Sequence, residues 1–170
     1  MVQNLALAYN TNYVEEVGRD VSAYAGGENF MIAEDFYEIF LKHKLNIDEA
    51  SKQANKVLFV DTDALTTLFY SKFLLSDNQK ATEICDKFAE AILQTVKWDL
   101  ILFLEPDVEF VQDGTRNEKI KADRLMYSNQ IKALFDRYDL KYQTVSGGYL
   151  ARFDTAKKLI EQELGLTTVW

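Results

Sequence analysis

Three groups of acidic residues each follow a short apolar run. Glu15-Glu16, with Gly18-Arg19-Asp20 just beyond, follow Tyr13-Val14; Asp61-Thr62-Asp63 follow VLFV at 57–60; Glu105-Pro106-Asp107 follow LILFL at 100–104. Carboxylates grouped in this way suit Mg²⁺, a hard cation held through carboxylates, water and substrate phosphates. They equally suit a base that takes a hydroxyl proton during phosphoryl transfer. The competing reading is structural: acids at strand ends cap the next helix or face water. Asp61 directly after VLFV reads as a Walker-B-like end, a carboxylate able to hold Mg²⁺. Asp63 reads as a substrate contact or as the N-cap of a helix over Ala64–Leu75, and Thr66-Thr67 as ordinary helix-turn residues. Asp113-Gly114-Thr115-Arg116 opens a loop before a charged helix, and Arg116 would lay a planar fork of donors on a migrating phosphoryl group. Lys119, Lys121 and Arg124 follow, with a solvated helix face as the plainer account of them. Arg19, next to Gly18, sits where a strand-end loop could reach a substrate. Among the aromatics, Tyr24, Phe30, Phe36 and Tyr37 could stack on a flat ring, but helical aromatics belong more often to a core. Gly26-Gly27 is a turn signal. His43 stands without a partner at ligand spacing and reads as surface; Cys85 reads as core.

Four short segments must position these groups: strands at Tyr13–Val17, Lys56–Val60, Asp99–Leu104 and Lys141–Val145. VLFV and LILFL are continuously apolar, the pattern of parallel strands covered on both faces. Helical patterns lie between them at Ala33–Lys52, Ala64–Leu75, Lys80–Val96, Glu118–Asp139 and Tyr149–Leu164. In the last, Leu150, Phe153, Ala156, Leu159, Ile160 and Leu164 keep the three/four spacing of a helix packed on a sheet. Asp77 or Asn78 and Gly147-Gly148 read as helix boundaries. Alternation of strand and helix predicts βαβ crossovers and an α/β fold, a three-layer α/β/α sandwich on a parallel sheet. In open parallel sheets ligands bind beyond the carboxyl ends of the strands, where all three acidic groups fall. Met1–Tyr9 has a helical look with no strand before it.

The chain has 170 residues, 48% hydrophobic and 13% aromatic, which suits one packed domain. Its net charge of −8 argues against a broad nucleic-acid footprint. One cysteine excludes a disulfide framework within the chain. The longest apolar run is too short for a bilayer and no signal peptide is visible, so a soluble cytoplasmic protein is expected.

The order and content of these pieces resemble the ribosylnicotinamide kinase domain of NadR-type proteins, a branch of the P-loop kinases. The pieces are EVGRD at Glu16–Asp20 with its preceding acid, KVLFVDTDALTT at Lys56–Thr67, DLILFLEPDVEFVQDGTRNE at Asp99–Glu118 and VSGGYLARFDTA at Val145–Ala156. The resemblance covers essentially the whole chain as a single kinase-like domain, residues 1–170, with a lid region at about 106–124. It implies ATP-dependent phosphorylation of the 5′-hydroxyl of nicotinamide riboside to nicotinamide mononucleotide, with Mg²⁺ and ATP. Residue by residue, it implies that Glu16 and Arg19 face the nucleoside, that Asp61 or Asp63 serves Mg²⁺ and substrate, and that Asp107, Asp113 and Arg116 belong to the substrate and lid region. No GxxxxGK[ST] phosphate loop occurs between Met1 and Trp170. The resemblance places that loop, and a central strand, just before Met1. Two expectations follow: negligible kinase activity for this chain alone, and exchange of a strand between chains as one route to a homo-oligomer. A non-catalytic module sensing a pyridine nucleotide, or a kinase for another nucleoside, are the alternatives.

Overall fold

A computed structural model describes residues 1–109 and 118–165, with the side chains of 118–121 outside that description. The chain divides into two compact units, Met1–Val96 and Lys97–Trp170.

The first unit opens with helix α1 (Val2–Tyr9), which ends where Asn10 turns left-handed (φ 50°). Strand β1 (Tyr13–Val14) follows, then α2 (Val17–Ala25), a 3₁₀ turn at Glu28–Phe30 and α3 (Ala33–Ser51). Strand β2 (Phe59–Val60) leads into α4 (Ala64–Leu74) and α5 (Gln79–Thr95). β1 and β2 pair in parallel, Tyr13 opposite Phe59 and Val14 opposite Val60. Two links tie the end of α1 to the approach to β2: the Asn55 N–H donates to Thr11 Oγ1 (2.9 Å) and the Asn55 side chain donates to the Asn10 carbonyl (3.2 Å).

Side-chain spacing explains how these helices bury. α3 turns Phe36, Ile39, Phe40, His43 and Ile47 inward, a three/four repeat. Phe88 of α5 stacks on both Tyr37 (5.4 Å) and Phe40 (5.7 Å). α4 is apolar almost all round, and Leu65 and Leu68 are fully buried. Each such side chain contributes about 1.5–3 kcal/mol by leaving water. Cys85 is fully buried on the inward face of the amphipathic α5, with Ala81 and Ala89.

The second unit holds β3 (Leu102–Leu104), α6 (Glu118–Arg137), β4 (Gln143–Val145) and α7 (Tyr149–Glu163). β3 and β4 run parallel, with Phe103 opposite Thr144. Phe103, Phe135 and Tyr142 pack ring to ring, Phe135 edge-on to Phe103 at 6.0 Å. Val145, Ala156 and Ile160 complete the core.

The α/β fold and the parallel pairing therefore hold. Among the described residues each strand has one ladder partner, giving two sheets of two strands. The ladders are shorter than the apolar runs that announce them, because a strand lasts only while its backbone finds a partner; LILFL is only half-buried, with Leu104 exposed. Val17, expected at the end of a strand, opens α2 instead. Among the described residues no helix is long and apolar enough to cross a membrane.

Candidate functional site

The carboxyl ends of β1 and β2 lie side by side, because the Asp61 N–H donates to the Val14 carbonyl at 2.8 Å. Glu15-Glu16 and Asp61-Thr62-Asp63 thus leave adjacent parallel strands in the same direction. Glu16 is the N-cap residue of α2, and Arg19 lies one turn into that helix with its guanidinium 3.4 Å from the Glu16 carboxylate. Arg19 is a helix residue here, not a loop residue as the sequence suggested. Glu28 joins this group electrostatically. Partial burial raises its pKa, the Glu16 charge raises it further and Arg19 opposes the shift. A cavity of about 530 Å³ opens beside β1, lined in part by Tyr13, Glu15, Glu16, Asp20 and, from α3, Asn46 and Glu49.

Asp63 is the most deeply buried carboxylate among the described residues. It is buried and caps α4: one oxygen accepts from the Thr66 N–H and from the Thr66 hydroxyl, each at 2.8 Å. Its second oxygen, Oδ2, has no hydrogen-bond partner. Burial raises its pKa, opposed by the Thr66 hydrogen bonds and, less strongly, by the Leu65 N–H. A buried carboxylate oxygen left unsatisfied carries a desolvation cost, and such atoms need a reason. Thr62, between the two acids, holds φ 67°. That conformation is costly for a β-branched residue and concentrates at functional turns. Asp63 is thus a helix cap and a residue with a spare acceptor at once. Among the described residues no group of three or more His, Cys, Asp or Glu could hold a metal ion. Of the two acids only Asp61 is exposed, so Mg²⁺ entering with a nucleotide would meet Asp61, with phosphates and water completing its shell.

In the second unit, Glu105, Pro106 and Asp107 continue β3. The Glu105 carboxylate pairs with Lys132 of α6, and Arg124 donates to the Val108 carbonyl at 2.9 Å. Asp107 receives the Gly147 N–H on one oxygen (2.6 Å) and pairs with Arg152 through the other. These contacts hold its carboxyl below the ordinary range, the Gly147 hydrogen bond most and the Arg152 side chain after it. Asp113 and Arg116 lie outside the described residues.

Several residues differ from their sequence reading. His43 is buried, 5% exposed, not a surface residue, because it falls on the inward repeat of α3 between Phe40 and Ile47. Phe36 is core and Tyr37 stacks on Phe88, whereas Tyr24 and Phe30 are exposed. Leu150 is exposed although its spacing matched the buried face of α7. Sequence reasoning missed Arg152, which takes that face with Ala156 and Ile160. The available signal was the register itself: a cation four and eight residues before two buried apolar positions must be paired.

The AAA domain family matches residues 1–152 of this chain. The trifunctional NAD biosynthesis/regulator proteins NadR of Salmonella typhimurium and of Escherichia coli are each 30% identical to it over 168 residues. Those alignments take in 97% of this chain and 39% of each relative, so the chain spans about two-fifths of their length. A NadR protein solved in complex with NR has the same fold, with a TM-score of 0.83 at 22% identity over 99% of this chain and 48% of the other. A NadR protein in complex with NAD and AMP-PNP gives 0.79 at 21% identity, over 99% of this chain and 46% of that one. The chain belongs to the AAA domain family and, along nearly its whole length, is similar to NadR.

Proposed function

We propose that this chain carries the nucleoside-binding part of a kinase that phosphorylates nicotinamide riboside on its 5′-hydroxyl. The observation that carries the reading is the buried Asp63 oxygen without a partner, next to Asp61 and beside the Glu16–Arg19 pair on the neighbouring strand end. Similarity to NadR, and the fold shared with a NadR protein bound to NR, support the choice of substrate. In the reaction the substrate oxygen forms a bond to the γ-phosphorus, the bond from that phosphorus to the bridging oxygen breaks, and ADP departs. The hydroxyl proton passes to a carboxylate of this strand-end group, Glu16 or Asp61. Arg19 and Asp63 orient the nucleoside. Mg²⁺, brought with ATP and met through Asp61, supplies charge neutralisation at the phosphates. Asp113 and Arg116 serve as the lid contacts on substrate and transferring phosphoryl group.

Isothermal titration of the chain with nicotinamide riboside tests the reading. Saturable one-site binding, weakened in Asp61→Asn, is expected; heats indistinguishable from dilution at millimolar riboside would remove the assignment. A second reading is a module that senses a pyridine nucleotide without catalysis, even when joined to a GxxxxGK[ST] loop. Riboside binding with no ADP release from MgATP, by a protein that also carries such a loop, would select the sensing module. Competition by other nucleosides separates a kinase of different substrate choice.

A further inference from the structure

We infer that Arg152 is a positioning residue that sets the ligand-facing ends of β3 and β4 through Asp107 and Gly147; this rests on the reading of the strand ends as a nucleoside and nucleotide site. The Arg152 side chain is 5% exposed. A guanidinium so deeply placed is tolerated only when its donors are satisfied. Its Nε donates to the Gly147 carbonyl (2.7 Å), and one terminal nitrogen, Nη2, donates to the Glu105 carbonyl (2.6 Å) and pairs with Asp107. Asp107 closes the ring by accepting the Gly147 N–H. Both backbone polar groups of Gly147 are therefore captured, at a residue held at φ 90°, which L side chains rarely adopt.

The position of this ring separates a functional role from simple fold support. It joins the residues that directly follow two paired parallel strands, the edge at which open parallel sheets bind ligands. Each Asp107 oxygen already accepts one hydrogen bond within the ring, so Asp107 fixes the backbone of Gly147-Gly148 at the start of α7. The planar fork matters, because an ammonium on a flexible stem cannot span the same three acceptors with fixed geometry.

The test uses the full chain with Arg152→Ala, Arg152→Lys, Asp107→Ala, the Arg152→Ala/Asp107→Ala pair, and Ile160→Ala as a control. Ile160 is a buried apolar residue of the same helix outside the ring. Affinities for nicotinamide riboside and for MgAMP-PNP are measured well below each thermal midpoint. Arg152→Ala and Asp107→Ala are each expected to weaken at least one of them about tenfold, and the pair no more than either single change. Arg152→Lys is expected not to rescue, and Ile160→Ala to hold both affinities within about twofold despite its lower midpoint. Retention of both affinities in Arg152→Ala, or an equal loss in Ile160→Ala, would overturn the role. If the wild-type chain binds neither probe, the proposed function fails by itself. Hydrogen exchange at the Gly147 amide then decides the ring: faster exchange in Arg152→Ala than in Ile160→Ala supports it, and equal rates overturn it.

Discussion

His43 puts an ionisable ring among the aromatic and aliphatic side chains of α3, and burial pushes its pKa down from 6.5 to about 4. The sign of the consequence follows from linkage. Above pH 6.5 both folded and unfolded imidazoles are neutral and the residue adds no pH dependence, its buried, unpartnered Nε2 being a constant cost. Between 6.5 and about 4 the unfolded chain takes up a proton that the folded protein refuses, so stability falls with pH, by up to about 3 kcal/mol. Urea unfolding of the wild type and of His43→Met, at pH 7.5 and 4.5, isolates this contribution because the carboxylates are common to both. The wild type should lose more stability than the variant across that interval. Asp63 permits a cleaner separation of structure from function. Serine at this position keeps a cap acceptor for the Thr66 N–H and removes the spare oxygen, so Asp63→Ser should change stability by no more than about 0.5 kcal/mol. Riboside affinity should nevertheless drop about tenfold or more, the scale of a lost charged hydrogen bond. Unchanged affinity in Asp63→Ser would leave Asp63 a helix cap alone.

Helices carry most of the legible information in this chain, and α4 shows why. ALTTLFYSKFL is apolar on nearly every side, so the helix is core on nearly every side, and Leu68 is fully buried. Leu68→Ala should cost about 2–5 kcal/mol of unfolding free energy, read from the urea midpoint at unchanged slope. The boundaries of α3, α4, α5, α6 and α7 fall within two residues of those expected from periodicity and caps, with Asp63 and Asn78 both accepting hydrogen bonds from the first turn. α2 was not legible, because Gly18 and the β-branched Val17 and Val21 are poor helix formers; tertiary burial of Val17 and Val21 overrides that preference. Strand ends were less legible still. The acids after VLFV and LILFL could be placed at one edge of parallel strands, yet whether a given carboxylate is spent internally could not. Asp107 is spent on Gly147 and Arg152, whereas Asp63 keeps one oxygen unmatched. That difference depends on partners distant in sequence, 40 and 45 residues away for Asp107.

At the scale of the whole molecule, two units each present a parallel strand pair with acids beyond it, and the chain carries a net charge of −8. The proposed nucleoside is a pyridinium and therefore a cation, whereas ATP is a polyanion. A negative field of this size attracts the first and repels the second over distances of about 10 Å at 0.1 M salt, and added salt screens both effects. Riboside affinity should accordingly fall as ionic strength rises, and the affinity of the neutral, reduced riboside should stay nearly level. The comparison cancels every contact the two ligands share, leaving the charge of the ring as the variable. Titrations of both ligands at 20, 100 and 400 mM salt (on the order of two, one and one-half Debye lengths at 0.1 M) would resolve the slopes. A steeper slope for the pyridinium ties the acidic character of the chain to substrate choice. Parallel slopes would mean that the carboxylates of Glu16, Asp61 and Asp63 act on the sugar alone, and that the acidic surface serves solubility.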